Sequence, residues 1–325
     1  MYDVVTLGET MLRLVPPNYE RIEQARSYDV SAGGSESSVA VGLARLGLKT
    51  AWVSKLPQNP MGRFIANKIR EHGVDTSHIV WVKDGRVGIY FVEFGSSPRP
   101  SQVIYDRKYS AFSTLTAEEV NWEQIFNGTK LFHTSGITTA LSQSCAEAVK
   151  NAILKAKDMN LTISFDINYR SKLWSPESAR ECLSEILGHV DILFTSADDA
   201  KLIFGFSGTN EEIAEKLKSS FNLDVVAMTT GFPRSVRTGV FSSMALTDKV
   251  YYGKSYEMEV VDRLGTGDSF TAGFLYGYMT GDMQKALNYG GAMAALKSTF
   301  PGDISWVTEE DILNQLKSQE AGVRR

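Results

Sequence analysis

Asp262-Arg263-Leu264-Gly265-Thr266-Gly267-Asp268-Ser269-Phe270 joins a run with strand character, 257–261, to a run with helical character, 269–279. Glycines at the mouth of a helix let backbone N–H groups converge on an anion, and the helix dipole adds its positive end. Such a loop reads as a phosphate site. Asp268 stands where a loop that only bound phosphate would carry Lys or a neutral side chain, because a carboxylate beside a bound phosphate is repelled. An acid there is explained by chemistry. It would accept a hydroxyl proton while the neighbouring N–H groups hold the phosphoryl group moving toward that oxygen. The stretch therefore reads as a site of phosphoryl transfer to an alcohol. From these nine residues alone, a plain turn with an Asp capping a helix stays open. The chain lacks GxxxxGK[ST], and Phe270 stands where GxGxxG has its third glycine, so neither the P-loop nor the dinucleotide fingerprint fits.

Working outward, the same strand-then-helix rhythm recurs. A first strand over 2–8 is followed by extended segments and turns to residue 31, where Pro16-Pro17 excludes a helix. Val39, Leu43 and Leu46 predict a helix over 35–46, with Gly47 suited to its left-handed C-terminal position. A strand over 50–56 and a helix over 61–72, ended by Gly73, repeat the unit. From 129 onward strands (130–134, 161–166, 191–195, 225–229) alternate with helices (142–159, 176–187, 211–221). Such alternation predicts an α/β fold with a mostly parallel sheet covered by helices on both faces. Residues 85–112, rich in Ile, Val, Tyr and Phe, read instead as antiparallel hairpin strands. With residues 10–32 they would form a small β lid over the mouth of the main sheet, whose domain comprises 1–9, 33–84 and 113–325. An apolar lid face of Ile89, Phe91, Val92, Val103 and Ile104 would need cover from the main domain or a second subunit, which points to a homo-oligomer, a dimer through the lid or larger. The tail, 320–325, is expected to fray.

With 325 residues, 43% of them hydrophobic, the chain can bury a large core. The formal charge is only −4 and the two signs are mixed, so no footprint for nucleic acid or an anionic membrane stands out. The N-terminal residues lack a basic region followed by an apolar stretch, and no apolar run is long enough to span a bilayer, which points to a soluble, cytoplasmic protein. Cys145 and Cys182, each on a predicted helix, read as packing thiols. His72, His78, His133 and His189 show no metal-ligand spacing.

The loop DRLGTGDSF, the early GGSESSVAVGLARLG (33–47) and the alternation between them resemble the ribokinase (PfkB) family of ATP-dependent sugar kinases, over essentially the whole chain. Gly88-Ile89-Tyr90-Phe91, Tyr105-Asp106-Arg107, Ser135-Gly136-Ile137, the run from Phe165 to Arg170 with Leu173-Trp174, and Pro301-Gly302-Asp303 are similar to the branch that phosphorylates 2-keto-3-deoxygluconate. The resemblance implies a ribokinase-like, Rossmann-type sheet with a β lid, the sugar between them and ATP along the C-terminal half. It implies Asp268 as the base, Gly265, Thr266, Gly267 and Asp268 as the anion hole, and Gly33 and Gly34 as positions where the chain approaches the sugar. Around a sugar acid it puts Tyr90, Tyr105, Arg107 and Arg170. The two arginines suit the task, because guanidinium groups grip carboxylates bidentately. For ATP it implies Ser196, Asp199, Thr229, Gly231, Gly265 and Gly267, with Asp199 reaching Mg²⁺ through water; a monovalent cation near Asp303 is an option, beside a turn-forming role.

The sequence departs from the family in Ser38 and Ser196, each standing where the family usually has Asn. Losing the amide at 196 removes a donor and an acceptor, which would weaken ATP or metal affinity. Arg263 and Thr266 replace the commoner Thr and Ala; Arg263 either adds charge near the phosphates or faces solvent. The expected reaction is transfer of the γ-phosphoryl of ATP to 2-keto-3-deoxygluconate, giving the 6-phosphate. The alternatives are a kinase of fructose, ribose or 2-ketogluconate in the same family, and a catalytically weak sugar- or nucleotide-binding relative. Two buried guanidinium groups without a counter-charge argue against a neutral sugar. The broken glycine fingerprint argues against an NAD-linked oxidoreductase.

Overall fold

The computed structural model describes residues 1–317; the tail expected to fray lies outside them. In chain order the strands and helices are β1 (Val4–Leu7), β2 (Met11–Val15), β3 (Asp29–Gly33), α1 (Ser35–Arg45), β4 (Thr50–Pro57), α2 (Pro60–Arg70), β5 (Ile79–Val82), β6 (Ile89–Glu93), β7 (Gln102–Asp106), α3 (Trp122–Phe126), β8 (Leu131–Ser135), α4 (Gly136–Thr139), α5 (Gln143–Asp158), β9 (Thr162–Asp166), α6 (Pro176–Leu187), β10 (Ile192–Ser196), α7 (Ala197–Phe204), α8 (Asn210–Phe221), β11 (Val225–Thr229), β12 (Phe232–Pro233), β13 (Thr238–Phe241), β14 (Ser243–Leu246), β15 (Val250–Tyr252), β16 (Tyr256–Glu259), α9 (Thr266–Thr280), α10 (Met283–Lys297) and α11 (Glu309–Lys317).

Nine strands form the central sheet in the order β15-β14-β11-β10-β9-β8-β1-β4-β5. From β11 to β5 the neighbours are parallel; β14 and β15 close one edge antiparallel. Successive side chains of each inner strand point to opposite faces, so a parallel strand covered on both sides must be apolar throughout. Val226 and Met228 of β11, with Leu193 of β10, pack with the α5 to α8 side through Val149, Leu183, Ile203 and Leu217. Val225 and Ala227 of β11, with Ile192 and Phe194 of β10, pack instead with α1, α9 and α10 through Val39, Phe274 and Leu287. Among the described residues no helix is long and apolar enough to cross a membrane. Cys145 is buried on α5 and Cys182 half-buried on α6, both as free thiols. His133 is enclosed in the core, where burial pushes its imidazole down to about 3 and keeps it neutral.

A separate four-stranded sheet, β3-β2-β6-β7, uses residues from both stretches read as strand-like. Its β6 and β7 pair antiparallel, as expected, and β6 joins β2 in parallel. The five apolar residues assigned to one face of this sheet divide between two. Period-two alternation sets Val92 opposite Val103 on the side of Tyr90 and Tyr105, and Phe91 opposite Ile104 on the other side. The strand leading into the glycine loop is β16, which pairs with β13 in a three-stranded sheet, β12-β13-β16, apart from the central one.

Candidate active site

The parallel strands end on one edge, and the chemistry-bearing side chains follow those ends, as open α/β sheets arrange them. Past β1 lie Gly8 and Glu9; β8 ends at Ser135, β9 at Asp166, β10 at Ser196 and β11 at Thr229. The helix after the glycine loop begins three residues earlier than its periodicity indicated. Gly265 is its cap and Asp268 lies in its first turn, so the loop's own N–H groups belong to the helix terminus. Gly265 has φ +79°, and a Cβ there would lie 1.9 Å from the Asp303 carbonyl oxygen, so both conformation and space require glycine.

Asp268 Oδ1 accepts a 2.6 Å hydrogen bond from the Ser35 hydroxyl, at the start of α1. Burial, with help from Asp303 and Glu36, pushes the Asp268 carboxyl up to about 7 against the pull of Ser35 and Arg170. Asp166 is pushed up to about 8 by burial and by the Asp268 charge. Asp199 is raised by burial too, while the Ser196 hydroxyl and Arg170 pull it down. Three carboxyls thus face one another around exposed Arg170, whose charge lowers all of them.

On the other side of Asp268, Tyr90 is buried, stacks on Tyr105 with centroids 5.8 Å apart, and donates its hydroxyl to Asp303 Oδ2 at 2.8 Å. A Cβ on Gly33 would sit 2.0 Å from that hydroxyl, and one on Gly34 2.3 Å from the Glu9 carbonyl oxygen. Arg107 lies over Tyr105 and gives Nε and Nη2 to Glu9 Oε2. It is therefore neither a solvated residue nor a fully free cation: three of its five donors remain for another partner, and with Arg170 exposed, the expected pair of buried guanidinium groups without a counter-charge is not present, so that argument against a neutral sugar falls. Gly33, Tyr90, Tyr105 and Arg107 thus form one chain of contacts, and Asp268 feels the charges of Asp303, which binds Tyr90, and of Arg170.

A second hollow of ≈ 230 Å³ adjoins the glycine loop, lined by Thr229, Gly231, Gly239, Val240, Phe241, Met258, Val260, Arg263, Thr266, Gly267 and Ser298. Its walls are apolar on the β13 and β16 side and present a helix N-terminus on the other, which suits a flat base with an anionic chain. Ser196 lies beside it, register-paired with Thr229. Its hydroxyl accepts from the Asp199 N–H at 3.1 Å and caps α7, so the serine that replaces an amide carries a structural task. Arg263 is exposed, lines the hollow, and donates to the Ser235 and Thr238 carbonyls, which ties the β13 turn to the loop. Among the described residues no group of three or more His, Cys, Asp or Glu side chains is arranged to hold a metal. Mg²⁺ keeps most of its water and binds through phosphates and one or two carboxylates, a demand that Asp199 with the nearby Asp198 can meet without such a group.

Several site groups escaped sequence reasoning. Arg13 of β2, wholly buried, donates to Asp262 Oδ2 at 2.5 Å and to Asp303 Oδ1, pinning the small sheet to both ends of the glycine-loop region. Asp303 is thus more than a turn former, and both its oxygens are engaged by Arg13 and Tyr90. Lys297, fully buried, donates to the Asp262 carbonyl at 3.0 Å, and burial lowers its pKa. Glu36, fully buried, accepts from Ser135 and Thr138 at 2.7 Å each, and burial raises its carboxyl. The one available signal was a charged residue inside the apolar run Met-Leu-Arg-Leu-Val.

The family described as "pfkB family carbohydrate kinase" matches residues 1–310. A 2-dehydro-3-deoxygalactonokinase of Haloferax volcanii is 39% identical over 324 residues, 99% of each chain. A 5-dehydro-2-deoxygluconokinase of Bacillus licheniformis is 32% identical, covering 91% of this chain and 89% of that one. The crystal structure of a 2-dehydro-3-deoxygluconokinase from Thermotoga maritima superposes with a TM-score of 0.93 at 38% identity, over 97% of this chain and 98% of that one. With the match running from residue 1 to residue 310, through all three sheets and the glycine loop, this chain belongs to the pfkB family of carbohydrate kinases.

Proposed function

We propose that this kinase transfers the γ-phosphoryl group of ATP to the terminal hydroxyl of 2-keto-3-deoxygluconate, giving the 6-phosphate. The observation that carries the reading is Asp268 in the first turn of α9, with the hollow of ≈ 230 Å³ beside the same loop and with Asp303 and Arg170 near enough for their charges to act on its carboxyl. ATP lies along Thr229, Gly231 and Gly267, with its γ-phosphate at the N–H groups from Gly265 to Asp268. Asp199 would hold Mg²⁺ through water, and the ion would supply charge neutralisation at the phosphates. Arg107 and Arg170 bind the sugar carboxylate, Tyr90 and Tyr105 flank the carbon chain, and Gly33 and Gly34 allow close approach. Asp268 takes the hydroxyl proton as the oxygen attacks phosphorus in line, the new O–P bond forms and ADP leaves. The small sheet, closing as a lid, keeps water, a competing acceptor, from the phosphoryl group.

The relatives support an acidic, deoxy keto sugar, and the 39% identity to a galactonate kinase favours the galactonate epimer as a second reading. A coupled ADP-release assay decides, run with MgATP against 2-keto-3-deoxygluconate, its galactonate epimer, 5-keto-2-deoxygluconate, 2-ketogluconate, fructose and ribose. Saturable turnover confined to the keto-deoxy acids is expected. Turnover with neutral sugars only would discard the two-arginine specificity.

A further inference from the structure

We propose that Ser35, held in place by Asn168, is a positioning residue for Asp268: its hydroxyl occupies one carboxylate oxygen and so presents the other to the acceptor hydroxyl. The proposal rests on the reading of Asp268 as the base.

Three elements distant in sequence meet here. Ser35 opens α1, Asp268 lies in the first turn of α9, and Asn168 follows the end of β9. Ser35 does not spend its hydroxyl on its own helix terminus, as Ser37 does by donating to the Gly34 carbonyl. Instead it reaches Asp268 Oδ1 at 2.6 Å. Asn168 Nδ2 donates to that same hydroxyl oxygen at 3.1 Å and to Asp166 Oδ2 at 3.4 Å. The amide nitrogen thus has a partner for each of its two hydrogens. A hydroxyl has one proton. With its oxygen already accepting from Asn168, Ser35 turns that proton toward Asp268, and the direction of the bond is fixed.

Asn168 has φ +41°, a conformation that Asn tolerates better than other side chains do, and its main-chain N–H is held by Asp166 Oδ1 at 3.1 Å. The strained backbone aims the amide. The consequence for the reaction is steric and electronic together. With Oδ1 taken, the proton leaving the sugar hydroxyl arrives on Oδ2, and Ser35 keeps donating to Oδ1 whether or not Asp268 is protonated. Asp268 is also faced by Glu36, Asp303 and Asp166, which disfavour its charge, and by Arg170 and Lys297, which favour it. Ser35 joins the second group, since its bond draws the Asp268 pKa down.

The test is steady-state kinetics of Ser35→Ala, Ser35→Thr, Asn168→Gly and Asp268→Asn across pH with MgATP and the accepted sugar acid. Glycine suits the left-handed backbone at 168, so Asn168→Gly removes the amide without straining the chain. Ser35→Ala is expected to lower kcat roughly 10- to 100-fold, the scale of a misaligned reacting group, with both KM values within about threefold. The acid limb of its kcat profile moves to higher pH, while Ser35→Thr restores kcat and the limb and Asn168→Gly falls between. A Ser35→Ala enzyme with unchanged kcat and acid limb overturns the inference, as does one whose loss lies entirely in KM or is matched by Ser35→Thr. If Asp268→Asn itself keeps full kcat, the base assignment fails first, a result distinct from failure of Ser35 beside an inactive Asp268→Asn.

Discussion

Replacing Arg13 tests whether the buried ion network holds the small sheet to the glycine-loop region. The guanidinium is 1% exposed, and its partners Asp262 and Asp303 are 0% and 13% exposed at the side chain. Arg13→Ala leaves two carboxylates without their cation. Asp262 keeps the Leu264 and Gly302 N–H groups, at 3.0 and 2.9 Å, and Asp303 keeps the Tyr90 hydroxyl and some access to water. Removing one partner of a buried pair typically costs about 3–5 kcal/mol, and these remaining donors set the expectation at the lower end, roughly 3 kcal/mol. That is a large share of a net stability of roughly 5–15 kcal/mol. For a chain of 325 residues, unfolding entropy of about 2.1 cal/mol/K per residue turns it into a fall in Tm of roughly 4 °C. Urea unfolding and thermal scans of Arg13→Ala, Arg13→Met and Arg13→Met/Asp303→Asn, in which the amide oxygen still accepts from Tyr90, measure the effect. Because the cost lies in the stranded carboxylate, the double variant should be more stable than Arg13→Met alone. A loss below about 1 kcal/mol in Arg13→Ala, or a double variant less stable than Arg13→Met, would refute the reasoning.

Arg170→Ala should raise KM for the sugar acid about 10- to 100-fold, the scale of a lost hydrogen bond to a charged group, and leave KM for ATP nearly unchanged; equal KM for the acid removes Arg170 from the sugar site. In Gly33→Ala the new methyl would lie 2.0 Å from the Tyr90 hydroxyl and 2.8 Å from Asp303 Oδ2, so Tyr90 must move and KM for the sugar should rise while far-ultraviolet dichroism stays native. An Ala variant with native KM would show that the approach at 33 is not needed. Glu36→Gln keeps an oxygen for Ser135 and Thr138 and removes a charge that burial disfavours. Since the folded pKa of Glu36 is raised, its ionisation weakens the native state as pH climbs from the unfolded value of about 4.3 through the folded one. The Gln variant should therefore gain on the parent with rising pH and match it near pH 4, as urea midpoints at several pH values would show; a difference that ignores pH counts against the assignment.

The sequence was most informative where interactions are local. Glycine, a helical run and one acid within nine residues sufficed to mark Asp268, because a helix terminus exposes its N–H groups whatever surrounds it. The helices over Pro176–Leu187 and Asn210–Phe221 and the strand Val225–Thr229 were equally legible, since apolar periodicity reports directly on which face is covered. The lid strands were visible as strands, but their faces were not, because facing depends on register and Val92 and Phe91 differ by one step. The short strand β13, which walls the hollow beside the glycine loop with β16, left too brief a pattern to read.

By itself, then, the chain determined its α/β class, the family and the glycine loop, all carried by short stretches whose meaning survives out of context. Tertiary structure alone decided how those groups are set. That Arg107 shares its charge with Glu9, that Asp303 is bound by Arg13 and Tyr90, and that Ser35 donates to Asp268 while accepting from Asn168 are contacts between segments many tens of residues apart. Protonation depends on the same assembly. A carboxyl acquires a raised pKa only once folding has taken away its water and set other charges beside it.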